Sequence, residues 1–252
     1  MALTACKAGQ VASKDTVNSS QSAAQVSKTV ATGADAIKRH LEAGGQIKVD
    51  RVEESPMNGV YAVILKTGDV LYSDSSGEFF VAGDLYQMAS EQKEMINLTE
   101  SYRGERRVAL LSKIVSKDTI TFKAKGKPKS HVYVFTDVDC YYCQKLHQEI
   151  GELNGGGLEV RYLAFPRAGI NSASYKKVQS AWCSKTPQES LTKLKNRQSI
   201  PENLCSSKAV AEQYKIGQQL GVRGTPAIIT ASGEQIAGYM PAKALLTKLG
   251  VK

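Results

Sequence analysis

Cys140-Tyr141-Tyr142-Cys143 restricts the possible folds of this chain more than any other segment. The run His131-Val132-Tyr133-Val134-Phe135 before it is β-branched and aromatic, as in a buried strand, and the stretch from Gln144 to Glu152 after it reads as helix. A Cys-x-x-Cys lodged between a strand and a helix reads as a redox motif, for a physical reason. The first cysteine sits at a helix N-terminus, where unpaired backbone N–H groups and the macrodipole favour a thiolate. The thiolate is the species that performs exchange. The second cysteine lies three residues on, on the same helical face, and can attack a mixed disulfide to release a trapped enzyme. Cys140 is therefore expected to be the nucleophile and exposed, and Cys143 the resolving thiol, shielded beneath it.

The competing reading of such a pair is structural zinc, which needs four ligands. Cys140 and Cys143 supply two, and Cys183 and Cys205 stand at no zinc-knuckle spacing from each other. His147, four residues after Cys143, has the helical spacing of a third ligand, but it also reads as a polar position on the helix that carries the pair. The sequence predicts no metal site and calls for no cofactor.

Downstream, Leu158 to Phe165 alternates as a strand and ends at Pro166, and Ser174 to Trp182 is helical. A helix ending over Ile216 to Leu220 leads into Gly221-Val222-Arg223-Gly224-Thr225-Pro226. Ala227 to Thr230 and Gln235 to Tyr239 read as a hairpin around Ser232-Gly233, and Pro241 to Leu249 as a last helix. Strand–helix–strand, a helical excursion, then hairpin–helix is the order of a thioredoxin fold.

Upstream the pattern is different. Thr32 to Ala43 reads as a helix, with Ala34, Ile37 and Leu41 on one face and Gly44-Gly45 as a stop. Four short strands follow, around Ile47–Val52, Val60–Leu65, Val70–Tyr72 and Glu78–Val81. So small a module buries little surface alone, and an exposed edge strand in it is a liability unless paired. Pairing with the same edge of a second copy is one remedy; a sheet covered by the rest of its own chain is the other. Residues 99–116 carry a helical pattern with Thr99 as N-cap and Arg103, Arg106, Arg107 and Lys113 toward its polar side. The 33 Lys and Arg against 24 Asp and Glu leave a net charge of +9, which attracts anionic partners without identifying them. With no groove-reading motif or aromatic platform beside them, these bases read as a solvated face, and no nucleic-acid partner is expected. No uncharged apolar run reaches the roughly 18 residues of a membrane-spanning helix.

The chain opens without the basic segment and apolar stretch of a secretory signal, which predicts a mature or trimmed form. Leu3-Thr4-Ala5-Cys6 resembles a bacterial lipobox and makes Cys6 a candidate for lipidation; the alternative is an exposed cysteine in a tail. Residues 7–28 read as a flexible tether or a frayed helix.

Several motifs in order resemble the bacterial periplasmic disulfide isomerases of the DsbC/DsbG family, closer to its DsbC branch. They are Phe135-Thr136-Asp137 before Cys140-Tyr141-Tyr142-Cys143-Gln144-Lys145-Leu146-His147, then Val160 to Arg167, Ala181-Trp182-Cys183, and Gly217 to Val222 leading into Gly224-Thr225-Pro226. Gly83-Asp84-Leu85-Tyr86 and Ile96-Asn97-Leu98-Thr99 resemble the family's boundary between N-terminal domain and linker. The resemblance covers about residues 30–252. It implies a mixed α+β and α/β chain in four parts. These are a tail at 1–28, a small N-terminal dimerisation domain at 29–88, a linker helix region at 89–118, and a thioredoxin-like catalytic domain at 119–252 with a helical insertion at about 168–208. It implies a redox pair at Cys140 and Cys143, a cis-proline at Pro226, substrate contacts at Tyr141, Tyr142, Thr225 and Pro226, and a structural disulfide between Cys183 and Cys205. Two buried free thiols are the alternative for that last pair. Tyr141 departs from the small residue or proline usual in the family's isomerases, and residues between the cysteines influence thiol pKa and potential.

The function so implied is a periplasmic thiol-disulfide isomerase of a Gram-negative bacterium, with Cys6 as a candidate lipid anchor. It would be a homodimer that rearranges wrong disulfides in misfolded secreted proteins, binds such clients in the manner of a chaperone, and is kept reduced by a membrane-bound thiol reductant of the DsbD type. A thiol oxidase, a dedicated reductase of few substrates, and a chaperone-like binding module are the alternatives.

Overall fold

The computed structural model describes residues 33–88 and 95–251. Cys6 and the tail lie outside the described residues. The chain divides into two compact units. One holds residues up to Val63 with Tyr72–Val81, and the other Ile64–Leu71 with residues from Ala82 onward.

The first unit is built on α1 (residues 33–42) and a sheet in the order β1-β2-β3-β4, made of Val49–Glu54, Val60–Leu65, Val70–Asp74 and Phe80–Ala82. Ile37 and Leu41, one helical turn apart, are buried, as are Val49, Ala62 and Val63. Gly77 is needed where it stands. Its φ is +77°, and a Cβ there would lie 2.7 Å from the Ile37 Cα. The last strand, β4, is exposed along its whole length.

In the second unit β5 (Tyr86–Met88) pairs antiparallel with β6 (Met95–Asn97). The expected domain boundary at residue 88 falls between these two strands. Helix α2 (Leu98–Leu111) follows. It differs from the sequence reading at both ends. Asn97, not Thr99, caps it, its side chain accepting the Glu100 N–H at 3.0 Å. Thr99 lies inside the helix, buried, its hydroxyl accepting the Leu85 N–H at 2.8 Å. The expected solvated face is partly buried too. Arg107 is covered, paired with Glu100 and donating to the Gly233 carbonyl at 3.0 Å. Gly233 lets α2 come this close: a Cβ on it would lie 2.1 Å from the Gly104 carbonyl oxygen.

The rest is a five-stranded sheet in the order β11-β10-β8-β9-β7. Its strands are β7 (Ile120–Phe122), β8 (Ser130–Thr136), β9 (Leu158–Ala164), β10 (Ala227–Thr230) and β11 (Gln235–Ala237). β8 and β9 run parallel in the register Ser130↔Leu158 to Thr136↔Ala164, and the other pairs are antiparallel. The two-residue period of a strand divides the core between the two faces. Val132, Val134, Val160, Tyr162 and Ile228 join one cluster with helices α4 (Ile150–Gly155), α5 (Ala173–Trp182), α6 (Pro187–Lys195), α7 (Ala209–Gln219) and α8 (Ala242–Lys248). Phe135, Leu163, Phe165 and Ile229 join the other, with Leu111 at the end of α2. A strand buried on both faces is apolar throughout, hence the unbroken run before the motif. The single helix expected after the motif is two, α3 (Tyr141–Gln148) and α4, which meet at Glu149.

Candidate active site

β8 ends at Thr136, and the chain turns through Asp137-Val138-Asp139 into α3, whose N-cap is Cys140. Asp137 fixes that turn. Its buried carboxylate accepts the Asp139 N–H at 2.9 Å, the Arg167 N–H at 2.9 Å, the Arg167 Nε at 3.2 Å and the Ser174 hydroxyl at 2.6 Å. Burial pushes its pKa up, but these donors, Ser174 foremost, more than reverse that and hold it below the usual carboxylate value.

Cys140 and Cys143 are both free thiols. Cys143 is fully buried, as expected, but Cys140 is only 3% exposed, against the expectation of an open nucleophile. The cause is the loop before β10. The Thr225–Pro226 bond is cis, and the Thr225 carbonyl accepts the Cys140 thiol at 3.1 Å. The two sulfurs are driven apart electrostatically. A hydrogen bond from Cys143 lowers the Cys140 pKa to about 5, against burial and with help from the Thr225 contact and the Arg167 charge. Burial, then the same hydrogen bond, pushes the Cys143 thiol up. The two shifts run in the opposite directions that a nucleophile and a resolving thiol require.

Tyr141 and Tyr142 flank the nucleophile and are 61% and 54% exposed. Tyr142 stacks on Tyr239 with ring centroids 6.1 Å apart, and the Lys145 ammonium lies 4.7 Å from the centre of the Tyr239 ring. His147 points away from this surface into the core. Its ring nitrogens meet the Tyr162 hydroxyl at 3.1 Å and the Thr192 hydroxyl at 2.9 Å, and burial lowers its pKa to about 4. Cys183 and Cys205 form a disulfide with Cα atoms 5.8 Å apart, closing a separation of 22 residues at the end of α5. Gln179 donates to the Cys205 carbonyl and Asn203 to the Cys183 carbonyl beside it.

Two groups at this site carry no role in the sequence reading. Thr136 ends β8 and hydrogen-bonds the Cys143 side chain. Lys195 on α6 is 1% exposed, and its ammonium donates to the Thr136 hydroxyl at 2.5 Å and to the Asp137 carbonyl at 2.9 Å. A signal for Lys195 exists. It falls four residues after Leu191 and beside Leu194, on the stripe that α6 buries.

Residues 115–250 match a thioredoxin-like domain family, and residues 20–100 match the N-terminal domain of the disulfide bond isomerase proteins. The chain is 33% identical over 220 residues to the thiol:disulfide interchange protein DsbC of Haemophilus influenzae, covering 85% of this chain and 89% of that protein. It is 33% identical over 197 residues to DsbC of Escherichia coli K12, with 78% and 79% covered, and 34% identical over 214 residues to that of Dickeya dadantii, with 85% of each covered.

Proposed function

Because this chain belongs to the DsbC/DsbG family of disulfide isomerases, we propose that it is a thiol-disulfide isomerase using Cys140 as nucleophile and Cys143 as resolving thiol. The observation that carries this is the opposite tuning of two thiols in one helical turn, Cys140 down to about 5 and Cys143 up. The Cys140 thiolate attacks one sulfur of a wrong disulfide, and the client's other sulfur leaves as a thiolate. The freed client thiol then attacks elsewhere in the client, or Cys143 attacks Cys140 and releases the client reduced. Thr225 and Pro226, with Tyr141 and Tyr142, form the surface a client peptide would meet.

The clients are misfolded secreted proteins in the periplasm, held with the help of chaperone-like contacts. The working form is a homodimer, and a membrane-bound reductant of the DsbD type returns the pair to thiols. Cys6 is the candidate lipid anchor. The exposed edge strand β4 supports the dimer: Phe80 and Val81, with Phe79 just before it, leave apolar side chains and unpaired backbone open to a second copy.

Refolding of scrambled ribonuclease tests the assignment. Wild type is expected to restore activity, Cys140→Ala to lose it, and Cys143→Ala to accumulate client held in mixed disulfide. Full activity of Cys140→Ala would leave only a chaperone. A thiol oxidase is the second reading, favoured by the low Cys140 pKa, since a stabilised thiolate makes the disulfide a stronger oxidant. Equilibration with glutathione separates the two, because an oxidase would show a potential near the most oxidising members of the thioredoxin fold.

A further inference from the structure

Lys195 poses a chemical problem. A cation taken out of water is costly unless it is paired, yet both of its hydrogen-bond acceptors, Thr136 Oγ1 and the Asp137 carbonyl oxygen, are neutral. An ammonium has donors only. Thr136 Oγ1 must therefore accept from Lys195, and its own single proton is left to donate. The same threonine side chain hydrogen-bonds Cys143. Lys195, a charged donor, thus holds the hydroxyl that in turn meets the resolving sulfur.

Resting on the function proposed above, we infer that Lys195 is a positioning residue for the resolving step: through the Thr136 hydroxyl its ammonium stabilises the thiolate that forms on Cys143 when a client is bound to Cys140. The transient sulfur anion would then add to the negative charge that Asp137 already places near the ammonium. In that step the Cys143 thiol gives its proton to solvent, and its sulfur attacks Cys140 Sγ. The Cys140–Cys143 bond forms while the bond from Cys140 to the client sulfur breaks. The client thiolate leaves and takes a proton from solvent. The pair is oxidised, the client cysteine is reduced, and Lys195 keeps its charge throughout.

The surroundings are consistent with this. Burial lowers the Lys195 pKa, and Cys143 is the first of the groups that oppose this, ahead of Asp137, Cys140 and Asp139. Lys195 in turn acts to lower the Cys143 pKa against its burial. The other titratable groups facing it are His147 on α3, held neutral near pH 7, and Tyr162 on β9, whose ring centre lies 5.9 Å from the ammonium. Arg167 is spent on Asp137 and on the nucleophile.

The effect has a calculable size. An opposite charge nearby moves a pKa by about one unit or more. One unit changes the thiolate fraction about tenfold, and the accompanying change in nucleophilicity returns about threefold of it, so removing the charge should slow resolution by at least about threefold. Stopped-flow reaction of the reduced protein with Ellman's reagent separates the two steps. Attack by Cys140 gives a bimolecular phase, and resolution by Cys143 gives a second, concentration-independent phase. Lys195→Met and the isosteric Thr136→Val are both expected to slow the second phase at least threefold and shift its pH profile upward. The first phase should stay within about twofold. Thr136→Ser, which keeps the hydroxyl, should behave as wild type. Thr136→Val carries the test if Lys195→Met does not fold. A second phase unchanged in both variants, or both phases slowed alike, would overturn the inference while leaving the proposed function intact. Absence of a Cys140 phase in wild type would overturn both.

Discussion

At the scale of the residue, the fold treats two chemically identical thiols differently. The difference comes from depth and donors rather than from distant charge. Cys140 meets the Thr225 carbonyl and the Cys143 thiol at the head of α3, while Cys143 is sealed under it. This has a consequence for stability. The folded Cys140 pKa, about 5, lies below the ordinary thiol value of 9.0. Between those values the unfolded chain binds more protons than the folded one, so the stability of the reduced protein rises with pH across that window. The contribution is complete above about 9 and lost as pH falls through about 5. The raised Cys143 thiol works in the opposite sense, but only above its own ordinary value, 9.0. The oxidised protein has neither proton. The gap in urea midpoint between reduced and oxidised forms should therefore widen in favour of the reduced form from about pH 5 toward pH 8. A gap independent of pH in that range would contradict the Cys140 assignment.

At the scale of the element, the contact of α2 with the turn between β10 and β11 makes a sharp test. Gly233 has a φ of +88°, and a Cβ on it would overlap the Gly104 carbonyl at 2.1 Å. Gly233→Ala is expected to cost at least about 1–3 kcal/mol. Gly151→Ala on α4, where a Cβ meets nothing within 4 Å, should be neutral or stabilising by up to about 1 kcal/mol. Paired urea titrations read both, and equal effects would refute the packing account. The same contact marks where the sequence ceased to be legible. β8 is legible as an unbroken β-branched and aromatic run and β9 by its alternation, whereas the helical pattern behind the motif does not show the break at Glu149. β5, β6 and β7 span three residues each, too few to establish a period. Thr99 and Asn97 are both good caps on paper, and only the Leu85 N–H that captures Thr99 decides between them. At the site, the two cysteines stand in the motif itself, and the cis bond before Pro226 follows from the family resemblance. Lys195 has only its place on the α6 stripe to mark it, and a lysine in an amphipathic helix is ordinarily a solvent residue. Its burial depends on Thr136, 59 positions away in the sequence.

At the scale of the whole molecule, the proposed homodimer rests on β4, an apolar edge with nothing over it among the described residues. Phe80→Lys places a charge on that edge and should shift the protein from dimer to monomer in multi-angle light scattering. The Ellman's reaction of the redox pair should continue while ribonuclease isomerisation falls. A variant that remains dimeric, or a wild type already monomeric, would rule out β4 as the interface. The chain also carries two sulfur pairs with opposite fates. Cys183–Cys205 closes a loop whose removal from the unfolded ensemble stabilises the fold by about 3 kcal/mol, whereas Cys140 and Cys143 must stay open to act. The protein that would mend other proteins' cross-links must therefore be born as a customer of the same trade. Some other oxidant has to install the Cys183–Cys205 bond in it, while Cys140 and Cys143 have to end as thiols. Its own supply of competent molecules is set by how well the compartment it serves already folds proteins.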